Sequence, residues 1–267
     1  MTRLQTPLVG VSLLALALAA APLRAGSREL KTVESAAEAV HALAAIPLNC
    51  IPQSLVQESA GVAVIPHVIK AGFVIDGRFG RGVVLAREPG GRWSNPVFIT
   101  LGGGGVGGQI GVESTDLVLI FKTKASLDRI LRGKGKLTLG GDLSVAAGPV
   151  GREAAAATDG RLKAEIYTYS RSRGLFAGVS LEGAALLVDH RANEAFYGLR
   201  GCRPEDVLAR RIAAVPALES LKAQLSWLAG PPPVPPPAVL VPVPPPPGPP
   251  PAVIVPGPPP PPPLIRR

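Results

Sequence analysis

The sequence predicts an α+β domain that is predominantly antiparallel β. We expect a strongly curved, glycine-rich sheet of barrel-like or sandwich-like form, with flanking helices at the N-terminal end, in the middle and at the C-terminal end. Short β-branched and aromatic runs recur from residue 61 to residue 121, each bounded by Gly, Pro, Asp or Asn, which is typical of antiparallel strands. Several of the 31 glycines lie inside these runs, where glycine marks bulges and bends.

Residues 1–25 predict a secretory signal peptide. A single early charge, Arg3, precedes an apolar run over residues 8–21, and small residues allow cleavage after Ala21 or Ala25. The run is shorter than the roughly 20 residues of a transmembrane span, so an uncleaved anchor is the less favoured alternative. We therefore expect export to the periplasm or cell envelope, with the protein peripheral to the membrane.

Residues 231–267 predict a disordered, proline-rich tail. They contain 21 of the 31 prolines of the chain, and each proline fixes φ and removes a backbone donor. An extended polyproline II segment is the expected conformation. Two interpretations stay open, a spacer or ligand that reaches cell-wall or other envelope components, and an inert tail.

Residues 26–230 predict one domain with its own core. Its two cysteines, Cys50 and Cys202, form a candidate disulfide in an oxidising compartment, and two unpaired thiols are the alternative. The apolar period predicts a helix over residues 27–46, which Pro47 ends. Further helices are expected over residues 52–59, 124–131 and 207–228, the last interrupted by Pro216.

The strands follow from short apolar runs separated by turn residues. Residues 88–92 predict a hairpin turn because they combine Pro with two glycines. The expected strand segments are 61–66, 70–75, 80–88, 95–101, 107–113, 115–121, 136–148, 164–170, 174–189 and 193–198.

Motifs that would indicate catalysis or a cofactor fail on their context. The spacing G-x-G-x-x-G starts at Gly102 and Gly103, but a dinucleotide site needs a helix next, and residues 109–121 are β in character. Residues 178–183 miss the spacing of a nucleophile elbow by one residue. Three histidines and two cysteines lack zinc-ligand spacing, and carboxylates occur singly. We predict no enzyme activity, no cofactor and no metal.

Basic residues suggest a partner of opposite charge, since the chain has a net charge of +9 and a pI near 10.1. An anionic lipid surface attracts such clusters, whereas nucleic acid is disfavoured by export and by the lack of interleaved aromatic residues. A solvated basic surface is the alternative. The first cluster is Lys122, Lys124, Arg129, Arg132, Lys134 and Lys136, and a second consists of Arg161, Lys163, Arg171 and Arg173.

Five segments in order, covering residues 61–88, 93–101, 107–121, 136–152 and 164–198, resemble the SYLF domain family of exported bacterial and eukaryotic actin-patch proteins. The resemblance implies lipid binding, with anionic lipids and phosphoinositides preferred, and it supplies no catalytic residues. Relatives tend to have S-x-G-x-Q-x-G in the glycine loop. Where the relatives have a Ser and a larger residue in this motif, this sequence has Gly105 and Gly108, and it keeps Gln109 and Gly111.

The combined interpretation is a non-catalytic lipid-binding module of the cell envelope. The first basic cluster would dock anionic head groups, and the helix over residues 27–46 would offer an apolar stripe to the membrane. An exported protein is not expected to bind the actin that the eukaryotic relatives bind. The alternative is a structural envelope protein that its proline-rich tail positions, without a lipid role.

Overall fold

The computed structural model describes residues 26–46, 51–72, 75–106, 111–132, 135–149, 164–173, 181, 183–209 and 214–230. Within these ranges, no helix is both long and apolar enough to cross a membrane. The predicted signal peptide and the predicted proline-rich tail lie outside the described residues, so both stay predictions.

The described residues form helices at the beginning, in the middle and at the end of the domain, as the sequence predicts. The predicted interruption of the last helix is confirmed, because Pro216 is the first residue of a new helix, where proline costs no hydrogen bond. The helices are α1 (Ser27–Ala44), α2 (Gln53–Gln57), α3 (Lys124–Leu131), α4 (His190–Tyr197), α5 (Pro204–Ala209) and α6 (Pro216–Ala229).

Within the described residues, eight strands form one strongly curled sheet, and the predicted fold class is confirmed. Neighbouring strands are antiparallel except the last pair, in which two strands run parallel. The strands are β1 (Gly61–Gly72), β2 (Ile75–Ala86), β3 (Val97–Val106), β4 (Gly111–Phe121), β5 (Lys136–Thr138), β6 (Val145–Ala147), β7 (Ile166–Arg173) and β8 (Ala185–Val188), and their order is β5-β8-β3-β2-β1-β4-β7-β6.

The central strands β1 and β4 are longer than predicted. The segments 107–113 and 115–121 contribute to the single strand β4, and β1 continues from residue 61 past Pro66 to residue 72. A β-bulge accommodates the proline, since the register of β1 shifts between Ile65 and Val68. His67 in the bulge has φ 50°, and its backbone N–H donates to Asp116 Oδ1 at 3.0 Å.

The prediction of a strand over residues 193–198 is wrong, because α4 occupies them. The Asp189 side chain accepts a hydrogen bond from Ala192 N at 3.0 Å and caps the helix, while Gly198 ends it at φ 66°. Asn193 is buried and bonds to both backbone groups of Phe98 on β3, at 2.9 Å and 3.2 Å. This tertiary contact favours a helix over the strand that the aromatic residues suggest.

Candidate functional site

The first basic cluster lies around α3, as its spacing predicts, with Lys134 outside the described residues. Thr123 caps α3 by accepting a hydrogen bond from Ser126 N at 3.1 Å. Asp128 pairs with two cations of the cluster, at 3.0 Å to Lys124 and 3.3 Å to Arg132. Each pair is accessible to solvent and contributes little to stability, and the Asp128 carboxylate offsets the attraction of both cations for an anionic ligand.

A second carboxylate lies among the same cations. Arg129 Nη1 donates to the backbone oxygen of Asp142 at 2.6 Å. Hydrogen bonding from Thr138 to the Asp142 carboxylate lowers its pKa, and Arg129 and Lys136 lower it further. Asp128 and Asp142 therefore neutralise part of the cluster, and lipid binding by its cations stays a prediction.

The second predicted cluster is only partly described. Arg161 and Lys163 lie outside the described residues, and of Arg173 only the backbone, at the end of β7, is described. Arg171 is the cross-strand partner of the buried Asp116 on β4. That the four residues form one basic group for an anionic partner therefore stays a prediction.

Only one cysteine of the candidate disulfide lies within the described residues. Cys202 is buried, with 6% of its surface exposed, and Cys50 lies outside the described residues. The bridge therefore stays a prediction.

The apolar stripe of α1 does not face solvent, which corrects the expectation that it contacts a membrane. Its residues pack into the core against the sheet and α6, and burial there removes them from any lipid surface. They are Val33, Ala36, Ala37, Ala39, Val40 and Leu43.

The first two turns of α1 instead form one wall of a cleft over the sheet. The cleft has a volume of about 380 Å³, and its opposite wall is the bulge of β1 together with residues 79–81 of β2. From α1 it is lined by Arg28, Lys31, Thr32 and Ser35, and from the sheet by Pro66, His67, Ile69, Phe79, Gly80 and Arg81.

Three cations line this cleft and no carboxylate does, within the part of the chain that the structure describes. Arg28, Lys31 and Arg81 take part in no ion pair with any described residue. The Arg81 Nε atom is buried and has no hydrogen-bond acceptor among the described residues. The cleft therefore offers three cations without an ion-pair partner and one buried donor without an acceptor in the described part of the protein, which are properties of an anion site.

Two apolar side chains border the same cations. Phe79 is 52% exposed and Ile69 is 44% exposed, and they are direct cross-strand partners. The Arg81 guanidinium carbon lies 5.8 Å from the centroid of the Phe79 ring, within the range of a cation–π contact. The aromatic ring and the guanidinium therefore contact each other in the lining of the cleft.

Sequence reasoning missed this cleft because its cations are far apart in the chain. Arg28 and Arg81 are separated by 52 intervening residues, and only the packing of α1 on β2 brings them together. One signal was present in the sequence. Arg28 and Lys31 are three residues apart and so share one face of α1, outside its apolar stripe.

A comparison with protein families matches the part of the chain that runs from β3 to α6. Residues 102–227 match the model of the Ysc84 family, described as Las17-binding protein actin regulator. The chain carries a Ysc84/SYLF family domain. The cleft lies outside the matched range, since every residue that lines it precedes residue 102.

Several relatives of this Ysc84/SYLF domain are eukaryotic proteins. The SH3 domain-containing YSC84-like protein 1 of Xenopus laevis is 45% identical over 162 residues, which make up 61% of this chain and 48% of the relative. Protein YSC84 of Saccharomyces cerevisiae is 44% identical over 174 residues, 64% of this chain and 36% of the relative. LAS seventeen-binding protein 3 of the same yeast is 43% identical over 173 residues, which make up 64% of this chain and 37% of the relative.

The chain spans less than half the length of each of these relatives. No solved structure matches the chain significantly. Neither the family description nor the names of the relatives indicate an enzyme activity.

Proposed function

We propose that this Ysc84/SYLF domain is a non-catalytic lipid-binding module that docks anionic head groups at the surface of a membrane. The observation that carries the proposal is the cleft between α1 and β2, where three cations have no carboxylate partner among the described residues and the buried Nε atom of Arg81 has no acceptor there. With residues 1–25 as an export signal, that membrane would belong to the cell envelope. Actin, an intracellular protein, would then not be a partner.

The chemistry of the cleft suits a phosphate group better than a neutral ligand. Arginine presents a planar fork of donors that matches phosphate oxygens, and lysine adds a mobile point charge. Ser35 supplies a hydroxyl group on the same wall of α1, whereas the Thr32 hydroxyl donates to the backbone oxygen of Arg28 at 3.1 Å. The cleft volume, about 380 Å³, accommodates a phosphorylated head group while the acyl chains stay outside.

The expected loss of affinity for anionic membranes follows from the number of cations removed from the cleft. Each Lys or Arg near an anionic membrane contributes about 1 kcal/mol, so removal of two cations costs about 2 kcal/mol, or roughly 30-fold in affinity. We expect the variant Arg28→Gln/Arg81→Gln to lose this amount in co-sedimentation with vesicles of phosphatidylcholine and phosphatidylglycerol. Binding by the unmodified protein should rise with the anionic fraction and fall with salt.

The matched control removes the same charge from the first predicted cluster. Lys124→Gln/Arg132→Gln also deletes two cations, but both pair with Asp128, so we expect a loss of less than about threefold. An equal loss in the two double variants would show that net charge rather than the cleft decides binding. Salt-insensitive binding, or no binding to anionic vesicles, would contradict the proposed function and favour a structural envelope role.

A further inference from the structure

Exposed apolar side chains gather at the end of the sheet next to the cleft. Ile69 on β1 pairs with Phe79 on β2, and two residues further along β1, Ala71 pairs with Val112 on β4. Direct antiparallel partners, and residues two apart in one strand, point to the same face of a sheet. Ile69, Phe79 and Val112 therefore share one face, with exposed fractions of 44%, 52% and 74%.

This apolar group, here called the tip patch, consists of Ile69, Phe79 and Val112. The cleft cations lie directly behind it, since Arg81 follows Phe79 by two residues on the same face of β2. Exposed apolar patches rimmed by charge mark interaction surfaces in soluble proteins. Cations alone would suit many anionic partners, but cations bordering aromatic and aliphatic side chains fit a lipid bilayer, whose phosphates overlie hydrocarbon.

We propose that the tip patch enters the bilayer below the phosphates while the cleft cations hold the head groups, an inference that rests on the proposed function. A strand rises about 3.3 Å per residue, so the Phe79 row lies about 7 Å beyond Arg81, and the Val112 row about 7 Å further. The Val112 row thus lies about 14 Å beyond Arg81, and strands tilted by about 45° from the membrane normal would place the two rows about 5 Å and 10 Å below Arg81, within the roughly 5–10 Å to which interfacial anchors bury their apolar side chains. The sheet would then meet the membrane with this end.

Tryptophan fluorescence can measure the depth of the tip patch. The chain has two tryptophans, of which Trp93 is 5% exposed and Trp227 is 70% exposed on α6. The variant Phe79→Trp/Trp227→Phe places the accessible indole in the tip patch and keeps Trp93 as a constant background. On anionic vesicles with bromine on the acyl chains, we expect quenching of at least a third of the emission at position 79.

The unmodified protein provides the matched control. Trp227 lies beside His41 and Ala44, 13 residues along α1 from Arg28, which corresponds to about 20 Å. We therefore expect bromolipids to leave its emission unchanged within about a tenth. A second pair of variants tests affinity, in which Phe79→Ser weakens vesicle binding at least about tenfold and Trp227→Ser leaves it unchanged.

The outcomes separate insertion from head-group binding. Salt-sensitive vesicle binding without quenching at position 79 would overturn insertion and leave the proposed function intact. Equal quenching at positions 79 and 227 would also overturn it, because the sheet end would then not be the inserted part. Loss of self-association instead of vesicle binding in Phe79→Ser would assign the tip patch to a second copy of the chain. Absence of all vesicle binding would remove both proposals.

Discussion

Replacement of Gly82 by alanine tests whether the glycines of β2 permit the curl of the sheet. A Cβ at position 82 would overlap the backbone oxygen of Val64 and would lie 2.8 Å from the Cα atom of Ile65. Both obstacles are backbone atoms of β1 at the entry to its bulge, so no side-chain rotation relieves them. The same substitution at Gly102, on the neighbouring strand β3, meets no atom within 4 Å.

The magnitude follows from overpacking. Extra methyl groups in a filled interior cost about 1–3 kcal/mol, and displacement of β1 backbone places Gly82→Ala at the upper end, about 3 kcal/mol. Gly102→Ala should be neutral or stabilise by up to about 1 kcal/mol, because alanine reduces the entropy of the unfolded chain. With an m-value near 2–3 kcal/mol/M, the urea midpoint of Gly82→Ala should fall by about 1 M.

Equilibrium urea unfolding followed by circular dichroism measures both variants under one condition. An unchanged m-value would show that the shift in midpoint reports stability alone. Equal midpoints for Gly82→Ala and Gly102→Ala would refute the reasoning, because they would mean that β1 does not approach β2 closely at this point.

Two further predictions concern buried polar groups. Asn193→Ala leaves the backbone groups of Phe98 without their partner, and we expect a loss of about 3 kcal/mol in urea unfolding; a loss below about 1 kcal/mol would contradict the contact. Burial raises the pKa of Tyr169 above the ordinary value of 10.0. The stability that depends on the protonated Tyr169 side chain should therefore be fully present below pH 10 and should decline as the pH rises beyond 10. Between pH 9 and pH 11, the free energy of unfolding should decline less for Tyr169→Phe than for the unmodified protein. At every pH the variant also lacks the hydrogen bond to the Pro149 oxygen, which costs about 1 kcal/mol. Parallel pH profiles of the two proteins would exclude Tyr169 as the titrating group.

Elements whose ends are set by neighbouring residues could be predicted from the sequence. The helix over residues 124–131 is found with the predicted limits, because Thr123 caps it and its apolar residues recur with a helical period. The turn at residues 88–92 is also found, with Gly90 at φ 90° and Gly91 at φ 82°. The β character and the curl followed from the runs of β-branched residues and the glycines within them.

Elements set by distant contacts could not be predicted. Pro66 suggested the end of a strand, yet the bulge that carries β1 past it is fixed by Asp116, 49 residues away from His67 in the chain. The aromatic segment over residues 193–198 suggested a strand, yet the contact of Asn193 with Phe98 accompanies a helix. Neither contact has a local signal, because each joins residues that only the folded sheet brings together.

The sequence by itself determined the family, the class of fold and the excess of positive charge, since composition, periodicity and ordered motifs are properties of the chain. Tertiary structure alone decided which charges are available to a partner. It buried the apolar stripe of α1, paired Lys124 and Arg132 with Asp128, and brought Arg28 and Arg81 together in a cleft that no carboxylate of the described residues lines. The physical reason is that an anion site depends on distances and on neighbouring charges, and both are fixed only when α1 packs on the sheet.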